Sequence, residues 1–355
     1  MFSGLPFRYI FILVVGFGSL FSLSSRHWLG VWAGLEINLI GFLPILVYQK
    51  RALERESAVK YFVIQALGSR LLMFGSLFSY GLSLSWESLT RALISAPSGA
   101  LLLSFGLLLK IGIFPFHFWF PRVIAGLSWF SCLLLATWQK LAPVFLVVAL
   151  MEAKSLSFLA LLVCLLGAGS RLAGGFGGLN QTQVRALLAY SSIGHIGWIL
   201  FGLSSSERTI KIYFMIYVAI SICIFLSLWA SDSGNLKNLR ALRNSNWGGP
   251  FTFILILLSL GGLPPLLGFI SKWIVITAGS STSSWGLLFL LVLGSLISLF
   301  YYLRLFFSEV LSLKGETISF KGLTELKGRS YINLIVLINI LGGLFLLLAL
   351  PERFF

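Results

Sequence analysis

Long apolar runs constrain this chain more than any other feature of its sequence. About eleven of them, separated by short polar clusters, are each long enough to cross a ~30 Å hydrocarbon core as a helix. Only 10% of the residues are charged and 58% are hydrophobic, which excludes an ordinary soluble domain. The sequence therefore predicts an all-α polytopic membrane protein with helices near 4–22, 29–49, 58–80, 99–120, 123–150, 157–173, 184–203, 209–230, 250–277, 285–308 and 331–350.

The spacing of these runs also predicts how the chain is organised. No polar segment is long enough for a separate soluble domain, so residues 1–355 are expected to form a single membrane domain. Without its last run, the chain divides into two sets of five helices, 1–153 and 154–308, followed by a loop and a C-terminal helix over 309–355. Prolines interrupt the fourth and the ninth helix, and breaks at matching places in two halves indicate an inverted-repeat transporter.

The net charge of +15 comes from 26 Lys and Arg against 11 Asp and Glu. No basic tract with interleaved aromatic residues lies outside the apolar runs. The positive charge therefore indicates contact with anionic lipid headgroups and not with a nucleic acid. Most basic loop residues fall on the same side of the membrane as the N-terminus when the predicted spans are followed along the chain. Arg171 and Arg185 are expected in one loop on that side. This asymmetry predicts an N-terminus on the side where the protein is made and a C-terminus on the opposite side.

The sequence shows no sign of a bound cofactor or metal. Cys132, Cys164 and Cys223 lie inside apolar runs without paired spacing, so they are expected to be small buried hydrophobes. The glycines between residues 167 and 178 do not form a dinucleotide-binding fingerprint after a strand. They indicate close helix packing and a helix end instead.

Besides Arg70, four charged residues lie inside the predicted spans and can exchange a proton: Glu36, Lys110, Lys140 and Lys272. A charge at the bilayer centre costs on the order of 2.5–3.5 kcal/mol, so such residues normally face the bundle interior and have a function. Burial penalises the ammonium form of lysine, which allows a buried lysine to exchange a proton when a neighbouring charge moves. One glutamate and three lysines therefore form a candidate relay of coupled titrations.

Three further residues within the spans are less direct candidates. His117 and His195 titrate in a useful range, although a neutral core histidine is an equally good interpretation of each. Arg70 hardly deprotonates, so it is expected to be a fixed counter-charge for Glu36 or to lie near the interface.

Prolines lie beside three of the four charges. A proline within a helix leaves the carbonyl four residues earlier without its hydrogen bond, and such backbone is tolerated at membrane depth mainly beside a cavity or buried in protein. The carbonyls affected are those of Ile111 (by Pro115), Gln139 (by Pro143), and Leu260 and Gly261 (by Pro264 and Pro265). The coincidence of breaks and charges supports a transport site.

Several sequence motifs, taken in their order along the chain, resemble those of a known family. They are GLEINL at 34–39, YFVIQA at 61–66, KIGIFPFHFW at 110–119, TWQKLAP at 137–143, SSIGH at 191–195 and GGLPP at 261–265, followed by Lys272 and Trp273. Together they resemble the antiporter-like subunits of respiratory complex I (NADH–ubiquinone oxidoreductase), and among these the subunit 2 family in its eleven-helix animal mitochondrial form. The resemblance covers residues 30–275, and the last part of the chain is only generically hydrophobic.

The resemblance implies a proton-pumping subunit of the membrane arm, in the mitochondrial inner membrane, with other membrane-arm subunits as partners. It implies that Glu36 and Lys110 form a pair, that Lys140 is the central lysine and that Lys272 is the exit lysine. NAD, FMN, iron–sulfur clusters and ubiquinone would belong to the whole complex and none to this chain. Arg70 departs from the family pattern. From the residues alone, a stand-alone cation/proton antiporter and a purely structural membrane subunit remain open.

Overall fold

The computed structural model describes residues 7–48, 51–80, 97–152, 157–203, 205–231, 248–264, 266–280 and 284–312, with residues 339, 342 and 343. These ranges contain α-helices and no β-strand. The helices are α1 (Phe7–Ser24), α2 (Trp28–Leu46), α3 (Ala52–Tyr80), α4 (Pro97–Ile111), α5 (Trp119–Gly126), α6 (Trp129–Ala136), α7 (Trp138–Glu152), α8 (Ser157–Leu179), α9 (Val184–Gly202), α10 (Glu207–Ser231), α11 (Gly248–Gly261), α12 (Leu267–Ser280) and α13 (Trp285–Ser312).

The all-α membrane architecture predicted from the apolar runs is confirmed. Within the described ranges, seven helical stretches are long and apolar enough to cross a membrane, and three shorter apolar helices accompany them. The predicted helix near 331–350 lies almost wholly outside the described residues. Several predicted boundaries are wrong by one turn or more, since α3 begins at Ala52, α8 continues to Leu179 and α13 continues to Ser312.

The chain divides into two compact units, Met1–Leu166 and Gly167–Phe355. In the first unit, α3 packs along α4, α1 packs along α2, and α7 contacts both α1 and α4. Glycines bring the backbones of α3 and α4 together: a Cβ added at Gly106 would lie 3.0 Å from the Gly68 carbonyl oxygen, and one at Gly75 would lie 2.7 Å from the Leu103 nitrogen. Close approach of this kind is typical of helix packing in membranes.

In the second unit, α12 packs against α9, α10, α11 and α13. Glycines again allow close helix contact, because a Cβ added at Gly174 of α8 would lie 2.6 Å from the Tyr190 carbonyl oxygen of α9. The close packing predicted for the glycine-rich stretch is thus correct. The helix end predicted at residue 173 is too early, since α8 continues through these glycines and ends at Leu179.

The interruptions predicted in the fourth and ninth membrane segments are both present. Helix α4 ends at Ile111 and α11 ends at Gly261, and each is followed by a glycine with a φ of +80°, Gly112 or Gly262. A left-handed conformation of this kind favours glycine because it lacks a Cβ.

The two interruptions also have the same hydrogen-bond pattern. Ile113 and Leu263 donate to the carbonyls of Leu108 and Leu258, each over 3.3 Å, while Gly112 and Gly262 donate to the carbonyls three residues before them, at 3.2 and 3.0 Å. This pattern is a Schellman cap, formed identically in each unit. Pro264 lies in the second break, and Pro265 lies outside the described residues.

A third interruption lies beside Lys140, but Pro143 does not form it. Pro143 is inside α7, whereas the helix is broken at Thr137, between α6 and α7. There the Thr137 hydroxyl donates to the Leu133 carbonyl at 2.7 Å, and the Lys140 amide donates to the Thr137 carbonyl at 3.3 Å. The prediction of a break near Lys140 was correct, and its position was wrong by about two turns.

Candidate functional site

Lys110 lies in the last turn of α4, directly before the first break. Its side chain is buried, and Gly68 of α3 makes room for it, since a Cβ added at Gly68 would lie 2.8 Å from the Lys110 Cγ. The Gln65 amide donates to the Lys110 carbonyl at 3.1 Å and so occupies an acceptor near the helix end. The C-terminus of a helix carries a partial negative charge, which stabilises an ammonium group at this position.

Glu36 is half-buried in α2, and its carboxylate interacts electrostatically with Lys110 and with the Tyr61 hydroxyl. The first unit therefore brings the glutamate of α2 into electrostatic contact with the first lysine, which lies on α4. The expected Glu36–Lys110 relationship is an electrostatic one within a single helical unit.

A hydrogen-bonded chain of neutral side chains joins three helices beside this pair. The Tyr61 hydroxyl of α3 donates to the Gln139 Oε1 at 3.4 Å, and the Gln139 Nε2 donates to the Asn38 Oδ1 of α2 at 2.9 Å. Asn38 is two residues from Glu36, and Gln139 directly precedes Lys140. The sequence alone does not single out these residues, because neutral amides inside an apolar run do not reveal which groups they contact.

Lys140 is 2% exposed in α7, and its Nζ lies 4.0 Å from the centroid of the Phe120 ring. A ring face attracts a cation, so Phe120 stabilises an ammonium here without adding a formal charge. The sequence prediction of a deeply buried lysine is confirmed, and its position after the Thr137 interruption sets it on the first turn of α7.

His117 lies in the connection between the first break and α5 and is buried. Its ring contacts Phe114 and Phe118, with centroid distances of 5.9 and 4.1 Å. Its backbone carbonyl accepts a hydrogen bond from the Phe120 amide at 3.2 Å, which fixes the entry into α5. His117 is therefore packed among aromatic rings close to the residue that faces Lys140.

Lys272 lies on α12 and is buried beside the second break. Its Nζ donates a hydrogen bond to the Gly261 carbonyl at the end of α11. This is one of the two carbonyls that the sequence predicts to be freed by prolines. Gly262 is required for the contact, because a Cβ at this position would lie 2.6 Å from the Lys272 Nζ.

Arg171 lies inside a helix and not in the loop that the sequence predicts for it. It lies within α8 and is 2% exposed, making it an additional charge inside a membrane segment. Its Nη2 donates to the Ser298 hydroxyl of α13, and its side chain passes Gly194 of α9 and Gly294 of α13. The glycines after Arg171 favour a helix end when the sequence is considered alone, whereas α8 continues through them to Leu179.

The charge of Arg171 acts on several groups of the second unit. It interacts electrostatically with Lys272 and with the hydroxyls of Tyr213, Tyr301 and Tyr302. Since arginine keeps its proton in proteins, the positive charge beside Lys272 is permanent.

His195 is buried in α9, within the same unit as Lys272. Its Nδ1 lies 2.9 Å from the Tyr213 hydroxyl, and its ring centroid lies 5.4 Å from that of Tyr217. A small cavity nearby is lined by Tyr217 and by the serines 191, 192 and 221. His195 thus lies among hydroxyl groups. One of them belongs to Tyr213, on which the charge of Arg171 acts.

Cys132 and Cys164 are buried free thiols, as predicted, whereas Cys223 is a half-buried free thiol. Arg70 is exposed on α3 and forms no hydrogen bond or ion pair with the described residues. It is therefore not a salt-bridge partner of Glu36 in this chain.

Two units with the same helix break, each with a buried lysine at the C-terminal end of the broken helix, define the antiporter-like class of membrane transport subunits. The family described as "NADH:quinone oxidoreductase/Mrp antiporter, TM" matches residues 25–298. The chain belongs to this family.

Named relatives support the assignment. NADH-ubiquinone oxidoreductase chain 2 of Pisaster ochraceus is 42% identical over 82% of this chain and 80% of its own length. The protein of the same name from Patiria pectinifera is 40% identical over 86% of this chain and 84% of its own length. In the solved structure of respiratory complex I from Thermus thermophilus, one subunit matches 98% of this chain with 81% of its own, at 27% identity and a TM-score of 0.78.

Proposed function

We propose that this chain is the proton-translocating, antiporter-like subunit of the membrane arm of respiratory complex I, in which electron transfer from NADH to ubiquinone is coupled to proton pumping. The proposal rests on the pair of matched helix breaks. Lys110 and Lys272 each lie at the C-terminal end of one of the two broken helices. The relatives named NADH-ubiquinone oxidoreductase chain 2 identify the complex to which this machinery belongs.

The chemistry follows from the environment of each lysine. A helix C-terminus stabilises the ammonium form, and burial disfavours it, so a small change in a neighbouring charge decides which form is present. Glu36 supplies such a charge to Lys110 in the first unit. Glu36 and Lys110 would receive the proton, Lys140 would be the central carrier and Lys272 the exit carrier, and His117 and His195 would assist.

The proposal also includes the organisation of the subunit, its location, its partners and the cofactors of the complex. The subunit would consist of two five-helix inverted repeats, 1–153 and 154–308, with a loop and C-terminal helix at 309–355. It would be a multi-pass protein of the mitochondrial inner membrane, with its N-terminus in the matrix and its C-terminus towards the intermembrane space. Other membrane-arm subunits and anionic lipids would surround it. NAD, FMN, iron–sulfur clusters and ubiquinone would be bound by the whole complex, and this chain would carry no redox centre.

The proposal is tested with Lys140→Met in the assembled complex. Methionine fills a similar volume without a titratable group, so NADH oxidation should continue while fewer protons are pumped per NADH. Lys211→Met is the matched control, because Lys211 is exposed and forms an i,i+4 pair with Glu207. Unchanged proton stoichiometry in Lys140→Met would reject the relay and leave a structural role for this subunit.

A stand-alone cation/proton antiporter is the competing function, and the family description includes the Mrp antiporter. The two functions differ in what the chain needs in order to work. A complex I subunit should co-purify with an NADH dehydrogenase in a mild detergent and be inactive by itself. Ion exchange by the isolated chain in liposomes, without such an association, would support the antiporter.

A further inference from the structure

Arg70 lies at the centre of an exposed apolar stripe on α3. The stripe follows the helical spacing of one face and consists of Val59, Val63, Leu67, Arg70, Phe74 and Leu77. The apolar members are each 48–62% exposed. No described helix of this chain covers this face, and Arg70 itself is exposed.

The depth of Arg70 follows from the sequence of α3. Lys60 is the last charged residue before it, and residues 61–80 otherwise contain no charge. At 1.5 Å per residue, Arg70 lies about 14 Å along the helix from either end of this twenty-residue stretch, which has the length of one hydrocarbon core. An arginine side chain is shorter than that distance, so it does not reach the lipid headgroups by extending along the helix.

An arginine at this depth needs a polar partner. Lipid tails offer no hydrogen-bond acceptor, and charged side chains in membrane segments almost always face protein or a water-filled cavity. The described residues of this chain supply no acceptor to Arg70. The partner must therefore come from outside the described part of the chain.

We infer that the stripe on α3 is a docking surface for a transmembrane helix of another membrane-arm subunit, which places a carboxylate against Arg70. This inference rests on the proposed function, because it requires assembly into a complex. Charge complementarity selects the partner: a carboxylate neutralises the guanidinium and accepts two parallel hydrogen bonds from it. The flanking valine, leucine and phenylalanine side chains would pack against the apolar surface of the same helix.

The first test is a photo-crosslink from position 70 in the intact complex, with a benzophenone side chain in place of Arg70. We expect crosslinking to a membrane helix of another subunit, with an Asp or Glu within one helical turn of the labelled residue. The same label at Phe176, an exposed residue of α8, is the control, because it shows which crosslinks form at any exposed position. Labelling of lipid only, of a second copy of this chain, or of a helix without a carboxylate would overturn the inference.

Substitutions provide a second test that does not depend on labelling. Arg70→Glu places like charges together and should reduce the retained chain by more than about tenfold in a harsher detergent, while Arg70→Lys retains most of it. Met215→Leu, at an exposed position of α10 away from the stripe, is the neutral control. Exchange of the partner's carboxylate for arginine should restore retention of Arg70→Glu.

The outcomes separate this inference from the proposed function. If the wild-type chain co-purifies with the NADH dehydrogenase and Arg70→Glu does so equally well, the docking surface is wrong and the subunit assignment stands. If the wild-type chain does not co-purify, the proposed function fails first. Because the readout is retention of the chain in the complex, it does not depend on proton pumping.

Discussion

Lys272 Nζ donates its hydrogen bond to the Gly261 carbonyl, the last residue of the broken helix α11. The lysine thereby occupies the negative end of a helix dipole and satisfies a carbonyl that the break leaves without a helical partner. Breaking the helix and burying the lysine are consequently two parts of one arrangement. The first unit uses the same Schellman cap at Gly112, with Lys110 on the broken helix itself.

The first prediction concerns Gly262, which makes the Lys272 contact possible. Gly262→Ala places a Cβ 2.6 Å from the Lys272 Nζ at a φ of +80°, so the lysine must move and the backbone is strained by ~1 kcal/mol or more. We expect fewer protons pumped per NADH in reconstituted complex. Gly286→Ala is the control, since no atom lies within 4 Å of a Cβ there. Equal stoichiometry in the two variants would show that the Lys272 contact is dispensable.

Sequence predicted two of the three helix breaks well because their causes are local. Proline and glycine act on the backbone within a few residues, so the breaks after Ile111 and Gly261 could be placed in advance. Arg171 could not be placed, because its burial depends on glycines of α9 and α13 that are distant in sequence. The Asn38–Gln139–Tyr61 chain was missed for the same reason: its hydrogen bonds join residues 78 and 101 positions apart.

The second prediction tests whether Gly68 serves Lys110 or only helix packing. Gly68→Ala places a Cβ 2.8 Å from the Lys110 Cγ, and overpacking of this kind costs about 1–3 kcal/mol. We expect it to reduce proton pumping by displacing the lysine. Gly75→Ala is the matched control, because its Cβ would intrude on the same helix pair at Leu103. If both variants lower complex assembly alike and neither alters the stoichiometry, Gly68 has only a packing role.

The third prediction concerns coupling through Gln139. Gln139→Leu leaves Asn38 without its donor and should destabilise this contact by about 1–3 kcal/mol. In a double-mutant cycle with Asn38→Leu, we expect a coupling of about 0.5–3 kcal/mol, measured from thermal inactivation of the complex and from its pumping rate. Trp138→Phe is the control, since it removes a neighbouring hydrogen bond to Ser19 instead. Additive effects of the two leucine substitutions would argue against a shared network.

The fourth prediction separates the charge of Arg171 from its hydrogen bond. Arg171→Gln removes the permanent positive charge beside Lys272, so repulsion no longer favours departure of the Lys272 proton. An interaction of ~1–2 kcal/mol is reasonable for partly screened buried charges and corresponds to a roughly five- to thirtyfold slower release step. We expect slower proton pumping at full NADH concentration, measured in liposomes.

Ser298→Ala is the matched control for that variant, because it removes the acceptor of the Arg171 Nη2 and keeps the charge. It should slow pumping much less than Arg171→Gln if electrostatics is the cause. Arg171→Lys keeps a cation at this position and should recover part of the rate. Equal loss in all three variants would instead show that Arg171 stabilises the packing of α8 against α13, and the electrostatic role assigned to it would be wrong.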